Sequence, residues 1–371
     1  MTLRQQVGFW LAALAGLLLF LYLFSGVLLP FLAGLILGYL LDPLADRLER
    51  AGFNRLGATL AILIAFSLVL TMLLVLAAPV LAHQFAGFVD ALPALLTRLQ
   101  TLAIQQGTAL SERLGVDVFE KLGLDHAGAS GDLQKSAGNT ASQGVQWLLS
   151  FLKSLWSGGA ALAGLLSLLV VTPVVAFYIL LDWNRMVAAI DGWVPVSSRA
   201  TVRELARDMD RAIAGFLRGQ SLVCLFLGLW YGLGLSLIGL NYGFLIGISA
   251  GVLSFIPYVG SLSALVLAAI IAIVQGWPSW SLFLMAMLVV GIGQFLEGNI
   301  LTPKLVGASV GLHPVWLIFA LFAFGSLFGF SGLILAVPVS AAIGVLCRFA
   351  LRHYLASPYY HGGGIDSVEG G

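Results

Sequence analysis

Residues 291–314 read GIGQFLEGNILTPKLVGASVGLHP, and this stretch organises the C-terminal third of the chain. A long apolar segment leads into it and another follows it. Between them stand polar side chains with glycine and proline interruptions: Gln294, Glu297, Asn299, Thr302, Lys304 and His313. Polar and ionisable groups within or beside a membrane span are costly, and they tend to face a protein interior or a water-filled cavity. The stretch is therefore a candidate functional site, and the alternative is a polar loop at a membrane surface.

The composition of the whole chain indicates a membrane protein. Of its 371 residues, 60% are hydrophobic and 9% are charged, whereas soluble domains carry about 25% charged residues. The apolar runs are continuous, while the strands of a membrane barrel would alternate. We therefore predict an all-α fold, a polytopic transmembrane helical bundle. The net charge of +1 gives no indication of a nucleic-acid partner.

The sequence lacks the motifs of a catalytic site. It contains no P-loop, no GxSxG motif and no zinc-ligand spacing, so we predict no enzymatic activity, no metal site and no cofactor. The two cysteines, Cys224 and Cys347, lie in apolar segments. They indicate buried small residues rather than a disulfide framework.

Three segments make up the chain before its charged region. We predict membrane helices over residues 1–82, with a break at Pro30 and a kink or restart at Pro43. Residues 151–182 are predicted to form another membrane helix. Between them, residues 83–150 are predicted to form a small external helical arm. Its first helix shows apolar residues at helical spacing, namely Phe85, Phe88, Leu92, Leu95, Leu99 and Leu102.

Residues 183–215 are the most charged segment and predict a cytoplasmic amphipathic helix. Four arginines recur every four residues and form one stripe along that helix: Arg199, Arg203, Arg207 and Arg211. Apolar residues occupy the opposite face. We interpret the basic stripe as a surface that faces anionic lipid headgroups, and the alternative is a phosphate or nucleotide site.

Residues 216–356 form a C-terminal core with two pairs of short apolar segments. The pairs are 243–256 with 260–275 and 315–329 with 332–350. The segments of the first pair fall below the roughly 17 residues that a membrane span needs, so we predict re-entrant helical hairpins. Interrupted segments in matching positions of two repeats indicate a transporter binding site. Residues 357–371 are predicted to be a disordered tail.

Two long segments carry a resemblance to a known family. Residues 217–261 read LRGQSLVCLFLGLWYGLGLSLIGLNYGFLIGISAGVLSFIPYVGS, and residues 299–346 read NILTPKLVGASVGLHPVWLIFALFAFGSLFGFSGLILAVPVSAAIGVL. With these segments the chain resembles the autoinducer-2 exporter family of bacterial membrane proteins. The IPYVG motif and the run from Asn299 to Pro314 are specific together.

The resemblance implies a bacterial inner-membrane protein with both termini in the cytoplasm. It also implies a homo-oligomer, with a pentamer favoured, and an exporter or antiporter role. The basic residues of the short loops fall on one side of such a scheme, as the positive-inside rule requires. Glycines at 228, 232, 234, 325 and 329 would allow close helix packing, although the packing partner stays open.

Three polar residues near Glu297 form the first group of candidates for a substrate or ion path. Gln294 and Glu297 are three residues apart and share a helix face, and Asn299 follows two residues later. A carboxylate beside two amides can hold Na⁺ or exchange a proton, and the amides can bind the hydroxyls of a solute. The alternative is a helix-end cluster that satisfies free carbonyls.

A second group of candidates lies outside that cluster. Pro257 and Tyr258 expose backbone carbonyls at the tip of the first hairpin, although a plain tight turn would look the same. Gln220 and His313 could line the same path. For both of these residues a structural hydrogen bond is the alternative.

Taken with the resemblance, these features predict a secondary transporter that exports a small polar molecule such as autoinducer-2. The coupling ion would be H⁺ or Na⁺, and the other partners are membrane lipids. One alternative is a Na⁺ (monovalent cation)/H⁺ antiporter. Another is a non-transporting membrane scaffold that recruits partners through residues 83–150.

Overall fold

The computed structural model describes residues 19–114, 159–307 and 313–357, together with Gly8, Ala12, Gly16 and Tyr360. This part of the chain is helical and contains no strand. The helices are α1 Ser25–Arg50, α2 Arg55–Leu114, α3 Gly159–Trp193, α4 Arg199–Leu237, α5 Gly243–Leu253, α6 Val259–Gly276, α7 Ser281–Leu296, a π-helix Glu297–Val306, and α8 Pro314–Leu355. Seven helical segments here are long and apolar enough to cross a membrane. The prediction of an all-α, polytopic membrane bundle is confirmed.

Helix α4 is the central helix of the C-terminal core, and α5 packs on one of its faces through glycines. A Cβ atom at Gly247 would overlap the backbone of Gly232, and one at Gly251 would overlap the backbone of Gly228. Small residues allow helix backbones to approach this closely. These glycines of α4 therefore pack against α5 of the same chain. The sequence alone did not identify this packing partner.

Helix α7 and the π-helix run antiparallel to α4 along another of its faces. At one end Gly234 faces Val289, and the indole Nε1 of Trp230 donates a hydrogen bond of 3.0 Å to the carbonyl of Val289. At the other end, Gly219 lies directly against the backbone of Leu305. This pairing places Glu297 opposite the stretch of α4 between Cys224 and Tyr231.

Both predicted hairpins are present as reversals of the chain. Helices α5 and α6 pack against each other across the turn at 254–258. Within α8, Gly329 has φ 59° and ψ −137°, a conformation that glycine adopts without steric cost. A Cβ atom at Gly332 would overlap the carbonyl of Phe324, yet residues eight apart in a continuous helix lie about 12 Å apart. The chain therefore folds back at Gly329.

The N-terminal region differs from the prediction in its helix boundaries. Helix α1 runs through both Pro30 and Pro43, so the expected break at Pro30 is wrong. Pro30 is buried, and its carbonyl accepts a hydrogen bond of 3.2 Å from the hydroxyl of Thr172 in α3. Packing against α3 offsets the hydrogen bond that a proline inside a helix forgoes.

The membrane segment and the arm share one helix. Helix α2 has 60 residues and is about 90 Å long, which exceeds the hydrocarbon thickness of about 30 Å. No helix end separates residue 82 from residue 83. The rest of the predicted arm, residues 115–150, lies outside the described residues, as does most of the predicted tail.

The charged segment is divided between two long helices. Helix α3 continues to Trp193, and α4 begins at Arg199 and runs without a break to Leu237. A separate helix over 183–215 is therefore not what the structure shows. The charged first half of α4 and its apolar second half therefore form one helix.

Candidate functional site

Glu297 stands where α7 changes into the π-helix. The chain passes from Leu296 to Glu297 without leaving helical geometry, and the wider winding continues to Val306. Stretches of π-helix often mark functional sites. The sequence signalled an irregularity through Gly298 and Pro303, but it predicted a loop or helix end rather than this winding.

The carboxyl group of Glu297 is half-buried and has no countercharge within the described part of the chain. Its Oε2 atom is buried without a hydrogen-bond partner among the described residues. None of the salt bridges in that part of the chain involves Glu297. An isolated ionised carboxylate is costly to bury, so such a group either meets a cation or takes up a proton.

Two side chains of α4 lie within the electrostatic reach of Glu297. A negative charge on Glu297 would be close enough to act on both Cys224 and Tyr231. These residues are seven positions apart and therefore share one face of α4. The Tyr231 side chain is fully buried, and its hydroxyl group has no hydrogen-bond partner among the described residues.

Gly293 makes room for the Tyr231 ring. A Cβ atom at position 293 would overlap the ring and would come within 2.7 Å of its hydroxyl oxygen. Gly293 precedes Glu297 by four residues and lies on the same helix face. Sequence reasoning missed Tyr231 and Cys224 because they resemble ordinary members of an apolar span. The only available signal was the spacing of Gln220, Cys224 and Tyr231 on one face.

Gln220 anchors the first hairpin to α4. Its side chain is buried, and Nε2 donates a hydrogen bond of 2.5 Å to the carbonyl of Ser254 at the end of α5. Pro257 is half-buried and Tyr258 is exposed. Tyr258 has φ 69°, an unusual conformation for a residue with a side chain, and it precedes α6. Gln220, which anchors the hairpin, thus lies one turn of α4 from Cys224. Cys224 in turn lies close to Glu297.

The other sequence candidates do not gather around Glu297. Gln294 is exposed on α7. Asn299 is also exposed, and its amide donates a hydrogen bond of 3.0 Å to the carbonyl of Phe295. His313 caps α8, since its Nδ1 accepts a hydrogen bond of 3.3 Å from the backbone N–H of Val315.

Part of the basic stripe is engaged within the chain. Arg203 makes a bidentate salt bridge to Asp191 of α3, with distances of 2.7 Å and 2.6 Å. Arg199 donates a hydrogen bond of 3.2 Å to the carbonyl of Val194. Arg211 pairs with Asp208 of its own helix at 3.2 Å, and Arg207 is exposed.

A charged cavity of about 80 Å³ lies between α1, α3 and α4. Its lining includes Asp42, Asp210 and Arg218. Arg218 precedes Gln220 by two residues, so the cavity lies near the hairpin anchor. It groups two carboxylates and one guanidinium group near the middle of α4, next to the half that carries the basic stripe.

Comparison with known proteins gives a consistent result. A family model described as AI-2E family transporter matches residues 11–352. YueF of Bacillus subtilis (strain 168), named as a transport protein, is 28% identical over 366 residues, which cover 92% of each chain. PerM of Escherichia coli (strain K12), named as a permease, is 28% identical over 329 residues, which cover 87% of each chain. YrrI of Bacillus subtilis, also named as a transport protein, is 38% identical over 180 residues, 48% of this chain and 50% of YrrI.

Proposed function

Since this chain belongs to the AI-2E transporter family and is a multi-pass membrane transport protein, we propose that it is an ion-coupled secondary transporter. The proposed cargo is a small polar solute such as autoinducer-2, moved outward across the bacterial inner membrane. We propose no enzymatic activity and no cofactor. The proposed coupling ion is H⁺ or Na⁺, with Glu297 as the group that binds it.

The single observation that carries this proposal is the position of Glu297. It is the only carboxylate in the sequence between Asp210 and Asp366, so no other acid of the C-terminal core can replace it. Its carboxyl group is partly buried against α4 without a countercharge among the described residues. A group in this situation can take up and release one positive charge within the bundle.

The proposed path follows the face of α4 that carries Gln220 and Cys224. It would start at the hairpin tip, Pro257 and Tyr258, and pass Glu297. Gln294, Asn299 and His313 are proposed to act at its margins, because the structure leaves their side chains exposed. The exposed arginines of the basic stripe are proposed to meet anionic lipid headgroups.

The same buried carboxylate also favours a second candidate, a Na⁺ (monovalent cation)/H⁺ antiporter. In that case the ion itself would be the cargo. Flux measurements in liposomes distinguish the two candidates. The purified protein is reconstituted, and uptake of autoinducer-2 and of Na⁺ is measured with and without a pH or Na⁺ gradient. Exporter function predicts gradient-dependent solute uptake, and antiport predicts Na⁺ flux without solute. Absence of both fluxes would favour a non-transporting scaffold.

We further propose that the protein is a homo-oligomer, with a pentamer favoured by the family resemblance. The exposed apolar residues of α7, such as Leu284, Leu288 and Phe295, would face either lipid or a neighbouring subunit. Mass photometry in mild detergent is expected to show a single assembly of several copies. Monomers alone would contradict this proposal.

A further inference from the structure

Among the described residues, three side-chain oxygen atoms are buried without a hydrogen-bond partner, and two of them lie at one helix–helix interface. These two are Oε2 of Glu297 and the hydroxyl oxygen of Tyr231. We propose that these two groups form a proton site, in which one water molecule bridges the carboxyl group and the hydroxyl group. The coupling ion is then H⁺ rather than Na⁺. This inference rests on the proposed function, because it names the ion that Glu297 binds.

The antiparallel packing of α4 against α7 brings the two groups together. The Tyr231 ring lies on Gly293, one helical turn before Glu297. The charge of Glu297 reaches the Tyr231 side chain, although the two groups are not hydrogen-bonded to each other. They are therefore near neighbours with a gap between their polar atoms.

The chemistry of the two groups suits a bridging water. A tyrosine hydroxyl both donates and accepts hydrogen bonds, and a carboxyl group accepts them and, when protonated, donates one. Buried polar groups are almost always hydrogen-bonded to protein or to ordered water. One water molecule typically makes about three hydrogen bonds to otherwise unsatisfied groups, so it can serve both atoms at once.

The surroundings are poor for a divalent metal cation. Hard cations such as Ca²⁺ and Mg²⁺ gather about six or more oxygen ligands. Besides Tyr231, the group of α4 near Glu297 is the thiol of Cys224, and sulfur suits softer metals. The described residues contain no group of three or more His, Cys, Asp or Glu side chains that could hold a metal ion.

In the part of the chain that the structure describes, no basic side chain acts on the carboxyl group from the elements packed against it. On α4, the titratable groups that Glu297 reaches are Tyr231 and Cys224. Arg218, further along that helix, is exposed, and so is Lys304 of the π-helix. Within the described residues a proton is therefore the simplest charge that compensates the buried carboxylate.

The proton moves between the carboxyl group and the bridging water. In the loaded state, the carboxylic acid donates its hydrogen bond to the water, and the water donates one to the oxygen of Tyr231. On release, the proton passes to the water and leaves as a hydronium ion, while Glu297 becomes a carboxylate. Tyr231 stays neutral throughout and acts as a positioning residue for the water.

Infrared difference spectroscopy of the full chain in liposomes tests this proposal. The carboxylic acid C=O band of the wild-type protein is followed during a pH titration in K⁺ buffer. We expect the band to vanish in Glu297→Gln and to shift in frequency in Tyr231→Phe, because the ring remains but the hydroxyl is lost. Tyr178→Phe is the matched control, since Tyr178 is exposed on α3, and its band should equal that of the wild type.

Three results would overturn the proton site. The first is the absence of any band that Glu297→Gln removes. The second is a carboxylic acid C=O band in Tyr231→Phe at the same frequency as in the wild type. Glu297→Asp, which withdraws the carboxyl group by one methylene, is a second variant that tests the same contact. The third is loss of the band when Na⁺ replaces K⁺ at constant pH. Absence of flux with the expected spectra would instead contradict the proposed function and leave the proton site intact.

Discussion

At the scale of single residues, two neighbouring glycines of α7 have opposite surroundings. Gly293 lies against the Tyr231 ring, whereas Gly291 has no other atom near its would-be Cβ position. Only the first glycine is required by packing. The Tyr231 hydroxyl reaches the interface with Glu297 because position 293 carries no side chain.

We predict that Gly293→Ala destabilises the protein and that Gly291→Ala does not. The added methyl group at 293 would displace a fully buried ring, and overpacking of this kind costs about 1–3 kcal/mol. At 291 an alanine should be neutral or slightly stabilising, because alanine favours helix over glycine. Thermal unfolding of both variants in the same detergent measures the difference. Equal midpoints would contradict the assigned packing of Tyr231.

At the scale of elements, the base of the arm is bound to the start of the first hairpin. The Gln84 side-chain oxygen of α2 accepts a hydrogen bond of 2.9 Å from the backbone N–H of Leu245 in the first turn of α5. The Tyr242 hydroxyl donates a hydrogen bond of 3.0 Å to the carbonyl of Gly87. The rings of Phe88 and Tyr242 meet edge to face at 5.5 Å. A movement of α2 would therefore displace the start of the first hairpin.

We predict that Gln84→Ala loosens the first turn of α5. A helix start that loses a capping acceptor is destabilised by about 1 kcal/mol, so hydrogen–deuterium exchange at residues 243–247 should become faster. Thr97→Ala is the matched control, because the Thr97 hydroxyl bonds only to the carbonyl of Pro93 in its own helix. Equal exchange rates in both variants would show that Gln84 does not hold the hairpin.

The elements also show what sequence reasoning can predict. Apolar runs identified the membrane segments, and the turns at Pro257 and Gly329 identified the hairpins, because proline and glycine interrupt helices for local steric reasons. The continuity of α2 and α4 was not predictable from composition. A helix that passes from lipid into water changes its side chains but not its backbone, so a charge boundary need not be a helix boundary.

The candidate site was predicted only in part. Glu297 was identified as an isolated acid in an apolar core. Tyr231 was missed because its role depends on which face of α4 meets Gly293, and this is set by tertiary packing. Gln294 and Asn299 share the segment with Glu297, but the winding of α7 and the π-helix leaves both exposed.

At the scale of the whole molecule, the base of the arm around Gln84 and the basic stripe lie at opposite ends of the described helices. Arg55 at the start of α2 donates a hydrogen bond of 2.7 Å to the carbonyl of Leu180 in the last part of α3. Arg203 of the stripe binds Asp191 near the same end of α3. Gln84, about 44 Å further along α2, instead contacts the chain just beyond the other end of α4.

We predict that the arm is external and the stripe cytoplasmic, because the short basic loops cluster at the end of the stripe. The measurement uses single cysteines at Thr97 and Arg207 in a chain whose native Cys224 and Cys347 are replaced by alanine. An impermeant thiol reagent applied to intact cells should label position 97, and position 207 should react only after lysis. External labelling at both positions would contradict this topology.

The most direct test of the central claim is proton-driven flux through Glu297→Gln in liposomes. This substitution keeps the shape of the side chain, so the protein should fold and assemble normally. It removes the titratable proton of the carboxyl group. Glu204→Gln is the matched control, because Glu204 is an exposed acid on the charged half of α4. We expect the pH dependence of transport to disappear in Glu297→Gln, to persist with an altered optimum in Glu297→Asp, and to be native in the control. Transport by Glu297→Gln at the native rate and with the native pH profile would contradict the assignment of Glu297 as the coupling group.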